Sequence, residues 1–375
     1  MKVILGLSGG VDSSVALKVL KDQGYDVEAM FMRNWDSATN NDILGNPDLE
    51  EDVCPQEKDY QDAVHVANEL GIKLNRVDFI GEYWDTVFSY FLNEYKSGRT
   101  PNPDIMCNKY IKFNAFLKHA STMGADYIAM GHYARVRHDE DKSYLLRGVD
   151  SNKDQTYFLC QISQAQLRKA LFPIGHLTKP EVRQIAKEAN LYTANKKDST
   201  GICFIGERNF KKFLQNYLPS QPGKMVTMDG KVIGEHDGLM YYTIGQRKGL
   251  GIGGSNEYEN AAWFVCGKDL ERNELIVGQG HDSQYLISNN CICSSINWIT
   301  DAPIEGHPYT AKFRYRQADI DVTIKFLGDD KIQILYPSGV RAVTPGQAAV
   351  IYDGEVCLGG AIIDEVYFDE ERRKY

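Results

Sequence analysis

The apolar run KVILGL (2–7) stops at Ser8-Gly9-Gly10-Val11-Asp12-Ser13-Ser14, and a helical pattern, VDSSVALKVLKDQG, follows at once. A strand that feeds a helix through two glycines belongs to a parallel sheet, because parallel strands need crossover helices and not hairpins. In an open sheet of that kind, ligands bind beyond the carboxyl ends of the strands. The first turn of the helix offers unpaired N–H groups and partial positive charge, which suit phosphate oxygens. Gly9 and Gly10 let a backbone come close to such a ligand, and Ser8, Ser13 and Ser14 add hydroxyl groups. The loop lacks the lysine of G-x-x-x-x-G-K-[ST] and does not match the dinucleotide G-x-G-x-x-G.

Strand and helix signals go on alternating through the first half. DVEAMFM (26–32), KLNRVDF (73–79) and DYIAMGH (126–132) read as strands. The segments 58–71, 82–98 and 108–122 read as helices; Ala63, Val66, Ala67 and Leu70 share one face of the first, which Gly71 ends. The pattern predicts a doubly wound, mainly parallel α/β domain. Near residue 210 the texture changes. PSQPGK (219–224) reads as a linker or turn, and glycines at 245, 249, 251, 253 and 254 break short strands. From about 281 the pattern is all-β: Ile320, Val322, Ile324 and Phe326 alternate, and Asp353-Gly354 marks a hairpin. The expected division is therefore an α/β domain over 1–209, a small β-rich module over 210–280 and a β-barrel over 281–375.

Composition narrows the class. The chain has 375 residues, 43% hydrophobic and 25% charged, long enough for two or three cores. It has no apolar run long enough for a membrane span, and its N-terminus lacks the form of a signal peptide, so a cytoplasmic protein is expected. The net charge of −9 argues against a nucleic-acid partner taken alone. Basic residues nevertheless outnumber acidic ones eleven to six over 150–212, and four to one over 99–118. Such patches fit a nucleic-acid site as well as ordinary solvated faces.

Two of the eight cysteines stand in reactive settings. Cys107 follows Pro101 and Pro103 in RTPNPDIMCNKYIKF (99–113), where it reads as a residue at a helix N-terminus with Lys109 and Lys112 nearby. That setting stabilises a thiolate. Cys203 lies in KKDSTGICFIGERNF (196–210), a loop with Lys196, Lys197 and Arg208. Cys54, in an acidic loop, is a weaker third candidate. Cys160, Cys266, Cys291, Cys293 and Cys357 read as buried structural thiols, and the spacing fits no zinc pattern. Met32 and Gly131 end two strands beside the opening loop. Met32 reads equally as core packing or as a surface for adenine, and bare backbone at Gly131 would admit a nucleotide. FRYRQ (313–317) reads equally as a barrel strand with solvated arginines or as an RNA contact.

The opening loop resembles the S-G-G-x-D-S signature of the N-type ATP pyrophosphatases. With it, TPNPDIMCNKYIKF, GHYAR, KDQTYFL, DSTGICFIGERNF, YTIGQRKGLGI, FRYRQ and PGQAAVIYDGE resemble, in order and over nearly the whole chain, the tRNA-specific 2-thiouridylase family. The resemblance implies ATP binding by Gly6, Leu7, Ser8, Gly9, Gly10, Val11, Asp12, Ser13, Met32 and Gly131, with Mg²⁺ accompanying ATP, a role for Asp12 in placing it, and no metal bound by protein alone. It implies that ATP adenylylates the C2 oxygen of a wobble uridine. Cys203 then carries a persulfide sulfur, which reaches C2 directly or as hydrosulfide. Cys107 is the other catalytic thiol, and a Cys107–Cys203 disulfide remains for a reductant to reset. Asn102, Pro103 and Asp104 would meet the target base. His132, Lys153, Asp154, Gln155, Arg314, Tyr315, Arg316 and Gln347 would contact tRNA. The implied partners are tRNA, a cysteine desulfurase or sulfur-relay protein, and a reductant, with no membrane. Two other readings stay open on the residues alone: an amide-forming pyrophosphatase acting on a small molecule, and a nucleotide-regulated RNA-binding module without turnover.

Overall fold

The computed structural model describes residues 1–47, 55–198, 201–203, 205–206, 208–252, 261–281 and 283–375. Cys54, Ser199, Thr200, Gly253 and Gly254 lie outside the described residues.

The first strands are β1 (Lys2–Gly6), β2 (Asp26–Arg33), β3 (Leu74–Asp78) and β4 (Tyr127–Ala129). A hairpin follows, β5 (Ala134–His138) and β6 (Ser143–Arg147), and then the short β7 (Ala170–Leu171). The sheet runs β3-β2-β1-β4-β7, and every pair in it is parallel. Both faces are covered. Val3 and Leu5 pack with Val15, Leu17, Val66 and Val182, whereas Ile4 joins Met30, Phe88, Phe91, Ile111 and Phe116 on the other side. Burial on both faces explains why β1 is apolar throughout rather than alternating. The chain lays β1, β2 and β3 outward in one direction, then returns to place β4 against the other edge of β1. The order reverses between β1 and β4, so the crevice for a ligand opens at their carboxyl ends. The opening loop follows β1 there, and Met130-Gly131-His132 follows β4.

Two helical stretches depart from regular α-geometry. The first runs Ile80–Tyr83, then a π segment Trp84–Phe88, then Ser89–Lys96. The second runs Pro103–Cys107, then a π segment Asn108–Ala115, then Phe116–Thr122. Hydrophobic periodicity predicts helix in both places but not the change of pitch, which shifts each later side chain around the axis.

The central strands are β8 (Gly223–Thr227), β9 (Val232–His236), β10 (Trp263–Asp269) and β11 (Glu274–Gln279), in the order β10-β11-β8-β9. The last are β12 (Ile287–Trp298), β13 (Tyr309–Lys312), β14 (Ile320–Gly328), β15 (Lys331–Arg341), β16 (Ala348–Asp353), β17 (Val356–Phe368) and β18 (Glu371–Arg372). β12-β15-β14-β13-β16-β17 closes into a six-stranded barrel through β12–β17 pairing. The β16–β17 hairpin turns at Gly354-Glu355, one residue beyond the predicted Asp353-Gly354, with Asp353 paired to Val356. A boundary at 209 does not anticipate the β5–β6 hairpin. It lies in the first segment of the chain, yet β6 pairs with β17, Leu145 opposite Cys357 and Leu146 opposite Val356.

The barrel also reaches the cysteine-bearing loop. Thr100 N donates to Pro345 O at 2.9 Å, and Gln347 Nε2 donates to Thr100 O at 2.8 Å and Pro101 O at 3.3 Å. Arg99 bridges Glu94 at 2.7 Å and Asp364 at 2.9 Å.

Candidate active site

The loop after β1 delivers Gly10 as the N-cap of the helix Val11–Asp22, and no side chain caps its N–H groups. Ser13 Oγ instead turns back to Gly10 O at 3.0 Å and accepts from Ser8 N at 3.2 Å, so the serines shape the loop from within. Ser14 Oγ donates to Gly10 O at 2.8 Å and accepts from Thr193 Oγ1 at 2.9 Å. What remains is a bare, uncapped helix start at the reversal point of the sheet, the arrangement that holds phosphate. Met32 and Met130 are buried at the adjoining strand ends.

The loop has no lysine of its own, and the fold brings two from far along the chain. Lys179 Nζ donates to Asp12 Oδ1 at 2.7 Å and also pairs with Asp198 at 2.8 Å. Lys196 Nζ donates to Gly9 O at 3.0 Å and to Asp59 at 2.7 Å, and pairs with Asp62. Tyr133 Oη donates to Asp12 Oδ1 at 2.8 Å. Sequence reasoning missed Lys179 and Tyr133 and assigned Lys196 to a cysteine. The only clue available was the missing lysine, which some other segment had to replace. Asp12 is thus already engaged by a lysine and a tyrosine rather than left open toward a cation. Gly131 is likewise required by the chain itself: a Cβ there would lie 2.9 Å from Ser13 N and 3.0 Å from the Asp12 carbonyl carbon.

Cys107 and Cys203, 96 positions apart, meet with their sulfurs 3.7 Å apart and Cys107 Sγ donating. The meeting is held from both sides. Cys203 N donates to Asp104 Oδ1 at 3.2 Å, and Tyr83 Oη donates to Cys203 O at 2.9 Å. Asn102, predicted to meet a base, caps the helix through Oδ1, which accepts from Asp104 N at 3.2 Å and Ile105 N at 3.3 Å; Pro103 follows in the first turn. This corrects the expected setting of Cys107. It is the last residue of Pro103–Cys107 and runs on into the π segment, so it has no place at a helix start. Burial pushes its thiol well above the usual range, with the Cys203 sulfur adding to the effect. Cys203 moves the other way: the Cys107 hydrogen bond and the Lys112 ammonium hold its thiol below the usual range. Burial raises Asp104, and Lys112 partly offsets that.

The other expected cations lie elsewhere. Lys109 Nζ donates to Gln161 Oε1 at 3.0 Å. Arg208, with Asp42 at 3.0 Å, forms a buried pair in which Asp42 also accepts from Trp35 Nε1 at 3.1 Å. This pair anchors the far end of the Cys203 segment. Arg208→Ala strands a buried carboxylate and is expected to cost about 3–5 kcal/mol. Denaturant unfolding followed by tryptophan fluorescence checks this, and a loss below about 1 kcal/mol, the range of an exposed pair, would refute it.

The predicted RNA contacts divide. His132 is buried beside Phe113 and Phe172, its Nδ1 has no hydrogen-bond partner, and burial with nearby Lys112 holds the ring far below its usual pKa. Asp154 faces inward, where it accepts from Gly148 N at 2.9 Å and Thr156 Oγ1 at 2.8 Å. Gln155 braces the turn after β4, with Oε1 accepting from Tyr133 N at 2.9 Å. Lys153 pairs with Asp198 at 2.8 Å. Arg314 donates to Ile244 O, Ala342 O and Thr344 Oγ1, so it joins the central module to the barrel. Tyr315 packs on Phe158, ring centroids 4.4 Å apart, and Arg316 is exposed beside it. Cys160, Cys266, Cys291, Cys293 and Cys357 are buried, as expected.

A helix start free to bind phosphate, two converging thiols and two appended β-modules define a nucleotide-type α/β protein equipped for sulfur chemistry. Three family models match successive parts of the chain. Residues 1–207 match the tRNA methyl transferase HUP domain, 211–279 the tRNA methyl transferase PRC-barrel domain, and 288–363 the aminomethyltransferase β-barrel domain. The chain is 59% identical over 374 residues to the tRNA-specific 2-thiouridylase MnmA of Acholeplasma laidlawii, covering 100% of this chain and 99% of that one. It is 57% identical over 377 residues to the protein of the same name from Lacticaseibacillus paracasei, covering 100% and 97%. The chain belongs to the tRNA-specific 2-thiouridylase family.

Proposed function

We propose that this protein is a cytoplasmic, ATP-dependent sulfurtransferase that converts the wobble uridine of tRNA to 2-thiouridine. The observation that carries the reading is the pair of sulfurs 3.7 Å apart, in a chain whose first strand ends in an uncapped helix start. The chemistry explains why both parts are needed. A uracil C2 carbonyl is a poor electrophile, and its oxygen leaves badly. Attack of that oxygen on the α-phosphorus of ATP releases pyrophosphate and turns the oxygen into part of an AMP leaving group. The Ser8–Ser13 loop holds the phosphates on its uncapped helix start, and Lys179 and Lys196 brace the loop through Asp12 and Gly9 O. Mg²⁺ arriving with ATP would offset phosphate charge when bound, and Asp12 would have to exchange its Lys179 and Tyr133 partners to help hold it.

Cys203 accepts a sulfur atom from a donor persulfide. The Cys107 thiol then attacks the Cys203 sulfur that bears the terminal sulfur, its proton passing to the departing sulfur. A Cys107–Cys203 bond forms, hydrosulfide leaves, and hydrosulfide displaces AMP from C2. A dithiol reductant returns both cysteines to thiols. The target uridine leaves its stack to reach this pocket. Asn102, Pro103 and Asp104 border the thiols, and the unpartnered Nδ1 of His132 is a buried atom a base can satisfy, worth about 1–3 kcal/mol if left unpaired. Arg316 and Tyr315 offer a charge and a stacking face for RNA. Among the described residues no helix is long and apolar enough to cross a membrane.

The test combines the full chain with ATP, a persulfide donor and unmodified tRNA. Thiolated uridine and AMP are expected in equal amounts, and AMP without thiolation would overturn the reading. Binding of tRNA is expected to weaken with salt, log affinity falling by about 0.7–0.9 per decade for each phosphate contact. A flat salt series would remove the phosphate contacts from the account.

A further inference from the structure

Cys107 and Lys112 are five positions apart on one helix. On a regular α-helix, five residues on means about 140° around the axis, toward the opposite side. Here the segment Asn108–Ala115 is a π-helix, whose i→i+5 bonding returns the fifth residue to the starting face. Asp104, three before Cys107 in the α-helical part, is already on that face. The change of pitch therefore gathers Asp104, Cys107 and Lys112 around the spot where Asp104 receives Cys203 N. The Cys203 sulfur raises Lys112 against the effect of its burial, and Lys112, after the Cys107 hydrogen bond, lowers the Cys203 thiol. Lys109, on the same helix, points to Gln161 instead.

We propose that Lys112 is a catalytic residue: the π turn brings its ammonium to the face where Asp104 and Cys107 hold Cys203, so that it steadies charge on the Cys203 sulfur as that sulfur attacks the donor while Cys107 stays its hydrogen-bond donor. The inference rests on the sulfurtransferase reading above and adds Lys112 to its first step. The step balances. The Cys203 thiolate attacks the terminal sulfur of a donor R–S–SH, a bond forms between the two sulfurs, the R–S–S bond breaks, and the donor leaves as a thiolate holding the electron pair. Among the described residues the groups facing this site are Asp104, Tyr83, His132 and Cys107. Tyr83 stays protonated, since burial raises it, and His132 stays neutral, so Lys112 is the cation and Asp104 the carboxylate that tune the sulfur pair.

Site-resolved alkylation tests this without tRNA. The full chain is treated with iodoacetamide across a pH series, and peptides bearing Cys107 and Cys203 are quantified separately by mass spectrometry. In the unaltered protein Cys203 is expected to react at least about tenfold faster than Cys107 at neutral pH, with its midpoint below the ordinary thiol value of about 8.5. Lys112→Met should slow Cys203 about tenfold and move its midpoint up, Lys112→Arg should restore most of the rate, and Lys109→Met should change neither. Faster reaction at Cys107, a Cys203 midpoint at or above the ordinary value in the unaltered protein, or equal effects of Lys109→Met and Lys112→Met would each overturn the proposal. Because the first two readouts need no variant, a poorly folding substitution does not blunt the test. Thiolation of tRNA with no Lys112 effect sinks this inference alone, whereas a Lys112 effect with no thiolation sinks the sulfurtransferase reading.

Discussion

Cys203→Ser is expected to abolish thiolation of tRNA, by a factor of about 10³ or more, while leaving ATP affinity within about twofold. A serine oxygen cannot hold a transferable sulfur, and the cradle draws on none of the atoms removed. Cys107→Ser is expected to block turnover equally, but at a different stage. That variant should still collect one sulfur atom on Cys203 when given a persulfide donor, visible as a mass increase, because only the release step needs Cys107. The unaltered protein, stopped without reductant, should instead accumulate the Cys107–Cys203 disulfide. The sulfurs lie 3.7 Å apart, so small side-chain rotations bring them into bond. A Cys107→Ser protein that turns over, or a Cys203→Ser protein that still thiolates, would leave the paired thiols without a role and overturn the disulfide-forming route, whereas tRNA and ATP binding with no thiolation by the unaltered protein would favour an RNA-binding module without turnover.

Much of this site was legible in the sequence because its signals are local. A strand, two glycines and a helix in immediate succession are enough to place an anion site, and β1 and the helix Val11–Asp22 appear where periodicity puts them. The two cysteine segments stood out by their proline and glycine context. What escaped depends on pitch and on long-range packing. Cys107 reads as a helix-start thiol because Pro101 and Pro103 precede it, but Asn102 takes the cap and leaves Cys107 five residues inside. The π segments look like ordinary helices, because a side-chain pattern does not record whether a carbonyl is met four or five residues on. Lys109 and Lys112 are indistinguishable in sequence, yet one faces Gln161 and the other the sulfurs. The basic excess over 150–212 fits solvated faces or a nucleic-acid site, and a good part of it serves neither: Lys179, Lys196 and Arg208 each neutralise a carboxylate near the cradle or the Cys203 segment. The β5–β6 hairpin joins the barrel across more than 200 residues, a pairing that no local pattern signals.

The two loop glycines lead to opposite expectations. Gly9 has φ +73°, and a Cβ there would lie 2.1 Å from Asp59 O, a backbone atom of the neighbouring helix that cannot turn aside. Gly9→Ala therefore meets both left-handed strain and a clash, and is expected to cost about 2–4 kcal/mol of stability. The helix bearing Asp59 must shift, and Asp59 holds Lys196 against the loop, so ATP affinity should fall by at least about tenfold as well. Gly10 has φ −96° and ψ 161°, open to any residue, and a Cβ there would find only Ser8 Oγ at 3.6 Å. The protein alone should accept Gly10→Ala with a loss under about 1 kcal/mol. If phosphates lie over this helix start, though, the added methyl occupies their approach, and ATP affinity should drop about tenfold with the melting temperature nearly unchanged. Calorimetric titration with a non-hydrolysable ATP analogue, beside thermal unfolding of both variants, separates the two effects. Normal ATP binding by Gly10→Ala would place the phosphates away from the Gly10 backbone, and a fully stable Gly9→Ala would contradict the tight seat of the loop on Asp59. A stable Gly10→Ala protein that no longer binds ATP is the outcome expected if the glycine is there for the ligand and not for the fold.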